Sequence, residues 1–222
     1  MKFLPALILL LVTAAWSHAQ ERIANGSFTG LAPGSTPPKP WLVPSQVKDG
    51  KDVSVTIASR PGETDGKMWL KLVDGNPALP SGLLQNFPEI KSGRFALKIA
   101  FERVGSAFGI YLGGDKVSSP ESRIIDCKVL KGGRLSLGNA GARTTSDFAF
   151  QAGTVYPLVF DFETNADGTK VAYTVTQEDT GTVLGSAEVD ARVPIAGLRI
   201  ATDSGDDQTI AYVTDITLSE KN

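Results

Sequence analysis

From Tyr156 to Gln177 the chain alternates residue by residue. Tyr156, Leu158, Phe160 and Phe162 hold one parity, while Pro157, Val159, Asp161 and Glu163 hold the other. A period of two places successive side chains on opposite faces of a strand, so this segment has one strongly apolar face and one partly polar face. Asn165-Ala166-Asp167-Gly168 follows, and Asp-Gly tolerates the positive φ of a tight turn. The alternation resumes from Lys170 to Gln177 through Val171, Tyr173 and Val175. A hairpin of this kind buries a single face, so the rest of the chain must supply a second apolar layer. The expected architecture is a sheet-on-sheet sandwich with this hairpin near its middle.

The remaining segments agree with that expectation. Val53, Val55 and Ile57 alternate within 52–59, and Met68, Leu70 and Leu72 alternate with Lys67, Trp69, Lys71 and Val73. Residues 83–87 form a shorter strand that Pro88 is expected to stop. Phe95, Leu97, Ile99 and Phe101 give an apolar parity from Arg94 to Glu102, and Phe108 to Leu112 follows. Further strands are read at 22–31, 123–130, 134–137, 148–151, 183–189 and 198–201. The closing segment, 209–218, sends Ile210, Tyr212, Thr214, Ile216 and Leu218 one way and Ala211, Val213, Asp215 and Thr217 the other. Residues 32–40 hold four prolines and read as a stiff connection, pinned to the body by Trp41. No stretch carries a helical stripe of ten residues. Short strands separated by Gly, Pro, Asp and Asn predict an all-β jelly-roll sandwich of two antiparallel sheets.

The first nineteen residues read differently. Lys2 precedes an apolar run from Phe3 to Trp16, and Ser17-His18-Ala19 places small residues where a signal peptidase needs them. Cleavage after Ala19 is expected, leaving one domain over 20–222 that is secreted or periplasmic, with no membrane attachment after cleavage. The exported chain loses Lys2 and the one histidine, His18, so 21 of the 22 basic residues face 24 acidic ones. This near-balance, with no basic stripe, argues against a nucleic-acid partner. Without histidine, and with Cys127 as the single cysteine, neither a zinc nor a haem centre can be assembled. Cys127 sits within an apolar strand and reads as an inert core thiol, since no histidine is present to activate it.

Two regions together carry a resemblance. The opening, Gly26-Ser27-Phe28-Thr29-Gly30-Leu31-Ala32-Pro33-Gly34-Ser35-Thr36-Pro37-Pro38-Lys39-Pro40-Trp41, resembles the start of exported concanavalin A-like (laminin-G-like) jelly rolls, a bacterial type among them. Gly66 to Asp74 resembles the "G-x-x-x-L-x-L-x-D" element that follows there. Ile210-Ala211-Tyr212-Val213-Thr214-Asp215-Ile216 looks like the family's last strand, and the 156–177 hairpin like its middle pair. The galactose-binding-like jelly roll opens and closes in similar ways and is the alternative fold. The resemblance implies a carbohydrate ligand, bound on a sheet face or loop rim, and in some members a structural calcium ion.

Asp161 and Glu163 are the enzyme-like feature, because two carboxylates on one strand face suit glycan cleavage. The concanavalin-like glucanase motif "E-x-D-x-x-E" is not matched, since Asp161-Phe162-Glu163-Thr164-Asn165-Ala166 lacks its third carboxylate. Lyase chemistry without histidine would need a tyrosine base, and nothing selects among Tyr111, Tyr156, Tyr173 and Tyr212. Trp69 flanked by Lys67 and Lys71 is the binding feature: an indole and two cations on one face suit a sugar ring, or the indole packs under a loop. Asp203, Asp206 and Asp207 crowd a glycine-containing loop and suit calcium, or are simply solvated. The function read from the sequence is a secreted, non-catalytic, lectin-like polysaccharide-binding protein. A lyase or glycoside hydrolase, and an envelope adhesion protein with a protein partner, are the alternatives.

Overall fold

The computed structural model describes residues 21–44, 52–139, 142–203, 205 and 207–221; the expected export segment, its cleavage site and Asp206 lie outside them. Among the described residues there are thirteen strands. β1 (Val53–Ala58), β2 (Trp69–Asp74), β3 (Gly82–Ile90), β4 (Ser92–Arg103), β5 (Phe108–Gly113), β6 (Arg123–Val129) and β7 (Arg134–Gly138) come first. β8 (Arg143–Ala149), β9 (Val155–Thr164), β10 (Lys170–Gln177), β11 (Thr182–Asp190), β12 (Ile195–Thr202) and β13 (Thr209–Glu220) complete them. They form two antiparallel sheets. One has seven strands in the order β1-β2-β13-β4-β9-β10-β11, and the other has six in the order β3-β12-β5-β6-β7-β8.

The core lies between the sheets, where the alternating apolar parities meet. Phe95, Leu97, Ile99 and Phe101 of β4 and Leu158, Phe160 and Phe162 of β9 face Phe108, Ile110 and Leu112 of β5 and Leu198 and Ile200 of β12. Phe101 and Phe108 cross the gap edge-to-face with ring centroids 5.4 Å apart. Each fully buried phenylalanine of this kind contributes roughly 1.5–3 kcal/mol of transfer free energy. Tyr173 ties the layers by a polar route: its hydroxyl accepts from the Gly138 N–H at 2.6 Å and donates to the Gly138 carbonyl at 3.2 Å. Trp41 is buried against Phe28 and donates its indole N–H to the Asn25 carbonyl, so it does pin the proline-rich connection.

Several details depart from the sequence reading. The β9–β10 hairpin lies toward one edge of the seven-stranded sheet, with only β11 beyond it. Residues 22–31 form no strand; they meet β13 through Arg22 N–H to the Leu218 carbonyl and Ile216 N–H to the Gly26 carbonyl, just after the Glu21–Ser219 bridge. Pro88 does not stop β3, which pairs with β12 alone over that stretch and therefore needs no N–H from Pro88 toward solvent. A strand at 143–149 replaces the one expected at 148–151.

β13 is the most instructive departure. Its alternation is not uniform: Ala211 and Val213 face the core, and so do Ile216 and Leu218. A register shift between Thr214 and Thr217, with Asp215 at φ 51°, inserts an extra residue and reverses the parity. Without that bulge, one apolar pair or the other would point outward.

Candidate functional site: the Tyr111 face of the six-stranded sheet

Trp69, Lys67, Lys71, Asp161 and Glu163 lie on the seven-stranded sheet side, whereas Asp203 follows β12 of the other sheet, and these candidates do not assemble into one site. Trp69 is on the expected outward parity of β2, yet only 2% of it is exposed. Its indole N–H donates to Glu63 Oε2 at 3.0 Å and the Arg60 guanidinium lies 5.5 Å from the ring centroid, so the 59–66 turn covers it. The expectation of an open indole platform is therefore corrected, because strand parity does not report what a neighbouring loop lays over the face. Lys67 is ion-paired with Asp215, which Lys98 also reaches at 3.1 Å. Lys71 stands 5.5 Å over the Tyr212 ring.

Asp161 and Glu163 do share one face and border an open depression floored by Ala172, Thr174 and Ser186. Asp161 faces Lys221 at 2.6 Å and Arg94 at 3.6 Å. Asp203 accepts from Tyr111 and Lys128, and Asp207 from Lys131. Among the described residues, no group of three or more His, Cys, Asp or Glu side chains is gathered as a metal site would require.

A denser constellation occupies the outer face of the six-stranded sheet. Its centre is Tyr111 on β5, 1% exposed, flanked on the same face by Gly109 and Gly113. A Cβ at Gly109 would meet the Tyr111 ring at 2.0 Å, so the tyrosine lies down over its neighbour rather than standing off the sheet. Arg199 comes from β12, directly opposite Tyr111 in the ladder, and Asp126 comes from β6 on the other side. Arg123 enters β6 after the short 3-10 turn Pro120–Ser122, and its guanidinium stacks 4.1 Å from the Tyr111 ring centroid. Lys128 Nζ and the Arg199 guanidinium lie at 5.9 and 6.0 Å from the same centroid.

Hydrogen bonds fix this layer. The Tyr111 hydroxyl donates to Asp203 Oδ1 at 3.2 Å, and Lys128 Nζ donates to Asp203 Oδ2 at 2.7 Å. Arg143 on β8 faces the buried Asp126 carboxylate at 2.9 Å and also donates to the Ser136 hydroxyl and carbonyl. Burial pushes the Tyr111 phenol well above its ordinary range, and the nearby Asp203 and Asp126 charges push the same way. Such a phenol holds its proton. The Arg199 guanidinium is lowered, first by burial and then by the adjacent Arg123 charge.

Sequence reasoning named Tyr111 only as one of four tyrosines and Asp203 only as a calcium candidate, and missed the surrounding arginines, Lys128 and Asp126. The one local signal is the spacing Gly109-Ile110-Tyr111-Leu112-Gly113, in which a strand clears both neighbouring positions on the tyrosine's face.

No protein-family model matches the chain, and no curated protein matches it. Solved structures do. A sialidase superposes with a TM-score of 0.61 at 14% identity over 82% of this chain, which corresponds to 17% of the sialidase chain. A chain from work on endo-acting O-glycanases, expressed by prominent members of the human gut microbiota to initiate mucin breakdown, gives 0.58 at 14% identity over 88% of this chain and 98% of that one. The Ca2+/Man2-bound exoplasmic/lumenal domain of VIP36 gives 0.52 at 8% identity over 82% and 81%. The fold is a concanavalin A-like jelly-roll sandwich. At these identities the likeness concerns architecture, and any role must be argued from the residues.

Proposed function

We propose that this protein is an exported, non-catalytic carbohydrate-binding β-sandwich protein whose glycan surface is the Tyr111 face of the six-stranded sheet. The observation that carries the reading is the layer of Arg123, Arg199, Lys128, Arg143, Asp126 and Asp203 arranged around Tyr111. These groups offer charged donors and acceptors to hydroxyl-rich ligands, and Gly109, Gly113 and Gly197 let the Tyr111 ring and the 114–122 loop pack down on the sheet and hold the arginines in place. The solved structures of similar fold include proteins named for glycan cleavage and one holding Man2, which agrees with a carbohydrate ligand.

The absence of catalysis rests on the chemistry of the candidates. Asp161 is held between two cations, and the Tyr111 phenol resists the ionisation a general base requires. A structural calcium ion at the 203–207 loop would have to displace Lys128 and Lys131 from Asp203 and Asp207.

The test is a panel of neutral and acidic polysaccharides, each assayed for retention, new reducing ends and unsaturated ends. Retention without product is expected, and it should fall for Tyr111→Ala. Turnover abolished by Asp161→Asn or Glu163→Gln would overturn the non-catalytic reading. Intact mass of secreted material should begin at Gln20.

A further inference from the structure

Arg123 and Arg199 reach the same acceptor. Arg123 Nη2 donates to the Ser118 carbonyl oxygen at 3.1 Å, and Arg199 Nη1 donates to that oxygen at 3.1 Å. Arg123 Nε also reaches the Val117 carbonyl at 3.4 Å. Two guanidinium groups are thus fastened beside one tyrosine ring by neutral carbonyl oxygens. Among the described residues neither has a carboxylate within salt-bridge distance.

The same face treats its other cations differently. Lys128 is matched by Asp203 and Arg143 by Asp126. The face therefore pairs two cations directly and leaves the central pair with carboxylates only at longer range, Asp203 toward Arg199 and Glu121 toward Arg123. Holding two like charges close is unfavourable, and partial burial increases the effect by lowering the local dielectric. The basicity of Arg199 is depressed chiefly by burial, with the Arg123 charge adding to it and Asp203 acting the other way. An anion placed across the pair would relieve the repulsion. Among the described residues, Arg199 Nε and Nη2 and Arg123 Nη1 have no protein acceptor. Planar guanidinium forks match the paired oxygens of a carboxylate or sulfate.

Open indole platforms are not found on the described surface. The exposed large apolar side chains there are Leu42 and Val183, and Trp41 and Trp69 are both buried. Tyr111 is buried as well, so the contacts this face offers a ligand are polar and ionic.

We propose that Arg123 and Arg199 together grip the anionic substituent, a carboxylate or sulfate ester, of an acidic polysaccharide. The proposal rests on the reading of this face as the glycan surface and specifies the class of glycan it takes. The chain's formal net charge of −2 makes the pair a local device rather than part of a generally cationic surface.

Binding to immobilised polygalacturonate and dextran sulfate tests it, with carboxyl-reduced polygalacturonate and unmodified dextran as neutral matches and single-stranded DNA as a non-glycan polyanion. At least one acidic polymer should bind about tenfold or more tightly than its neutral match, and added salt should weaken that binding. Which acidic polymer it is separates carboxylate from sulfate. Arg123→Gln and Arg199→Gln should each remove most of the difference, whereas Arg94→Gln, the same charge change at an exposed site on the outer face of the seven-stranded sheet, should not. If Arg123→Gln loses its fold with the stack on Tyr111, Arg199→Gln carries the test, with circular dichroism checking its fold. Equal binding of acidic and neutral polymers, unaffected by Arg199→Gln, would overturn the anion grip while leaving the carbohydrate reading intact. Equal binding of DNA and acidic glycans, lost in Arg199→Gln, would keep the anion site and overturn the carbohydrate reading. No binding by any polymer overturns both.

Discussion

Trp69 donates its indole N–H to Glu63 at 3.0 Å, with Arg60 over the ring. The tryptophan is therefore a fastener for the 59–66 turn. Trp69→Ala should destabilise the fold by about 3–5 kcal/mol, the usual range for emptying a buried aromatic site. Chemical denaturation measures this, and retention of glycan by the surviving folded fraction should be unchanged. Weakened retention with unchanged stability would instead return Trp69 to the ligand surface.

Gly109 lies under the Tyr111 ring, where an added Cβ would come within 2.0 Å. The ring must move in Gly109→Ala, carrying the stacked Arg123 with it. A stability loss of about 1–3 kcal/mol is expected, typical of overpacking. The larger effect should be on glycan retention. Full retention at wild-type affinity would show that the orientation of Tyr111 is irrelevant to binding.

Asp215 gives the fold a pH dependence. Burial acts to raise its carboxyl, but hydrogen bonds and charge from Lys67 and Lys98 outweigh it and hold the group below its ordinary range. Lys98 is raised, chiefly by its hydrogen bond to Asp215. The carboxylate's contribution is thus complete above its unfolded pKa of about 3.9 and is lost as pH falls through the lower folded value. The lysine's contribution is complete below about 10.4 and is lost as pH rises through its higher folded value. Thermal melts of Asp215→Asn should show a lower midpoint at neutral pH and a smaller difference from wild type as pH drops below about 4. A constant difference across that range would contradict the assignment.

Tyr173→Phe removes the hydroxyl that both accepts from and donates to Gly138 across the core. The Gly138 N–H would be left buried without a partner, at about 1–3 kcal/mol. The next hydroxyl along the strand cannot replace it, because Thr174 points to the outer face and pairs with Ser186. Urea denaturation should show the loss with little change in slope.

The sequence by itself determined most of the strands and, β13 apart, which of their faces meets the core. Val53, Val55 and Ile57, or Phe95, Leu97, Ile99 and Phe101, alternate with a period that admits one conformation, and an apolar face on each strand requires a second sheet. That information is local, so it survives in a linear reading. The tertiary structure decided the rest. The bulge at Asp215 reconciles two parities that conflict only once β13 pairs with β4, and Pro88 is tolerated only because β3 is an edge. Trp69 looked open because the alternation of β2 says nothing of the turn that covers it. The Tyr111 layer was hidden for the same reason: its cations come from β6, β8 and β12 and are gathered around β5 by ladder pairing between residues distant in sequence. Strand periodicity fixes which way a side chain points. Only the pairing of strands fixes which charges it will stand beside.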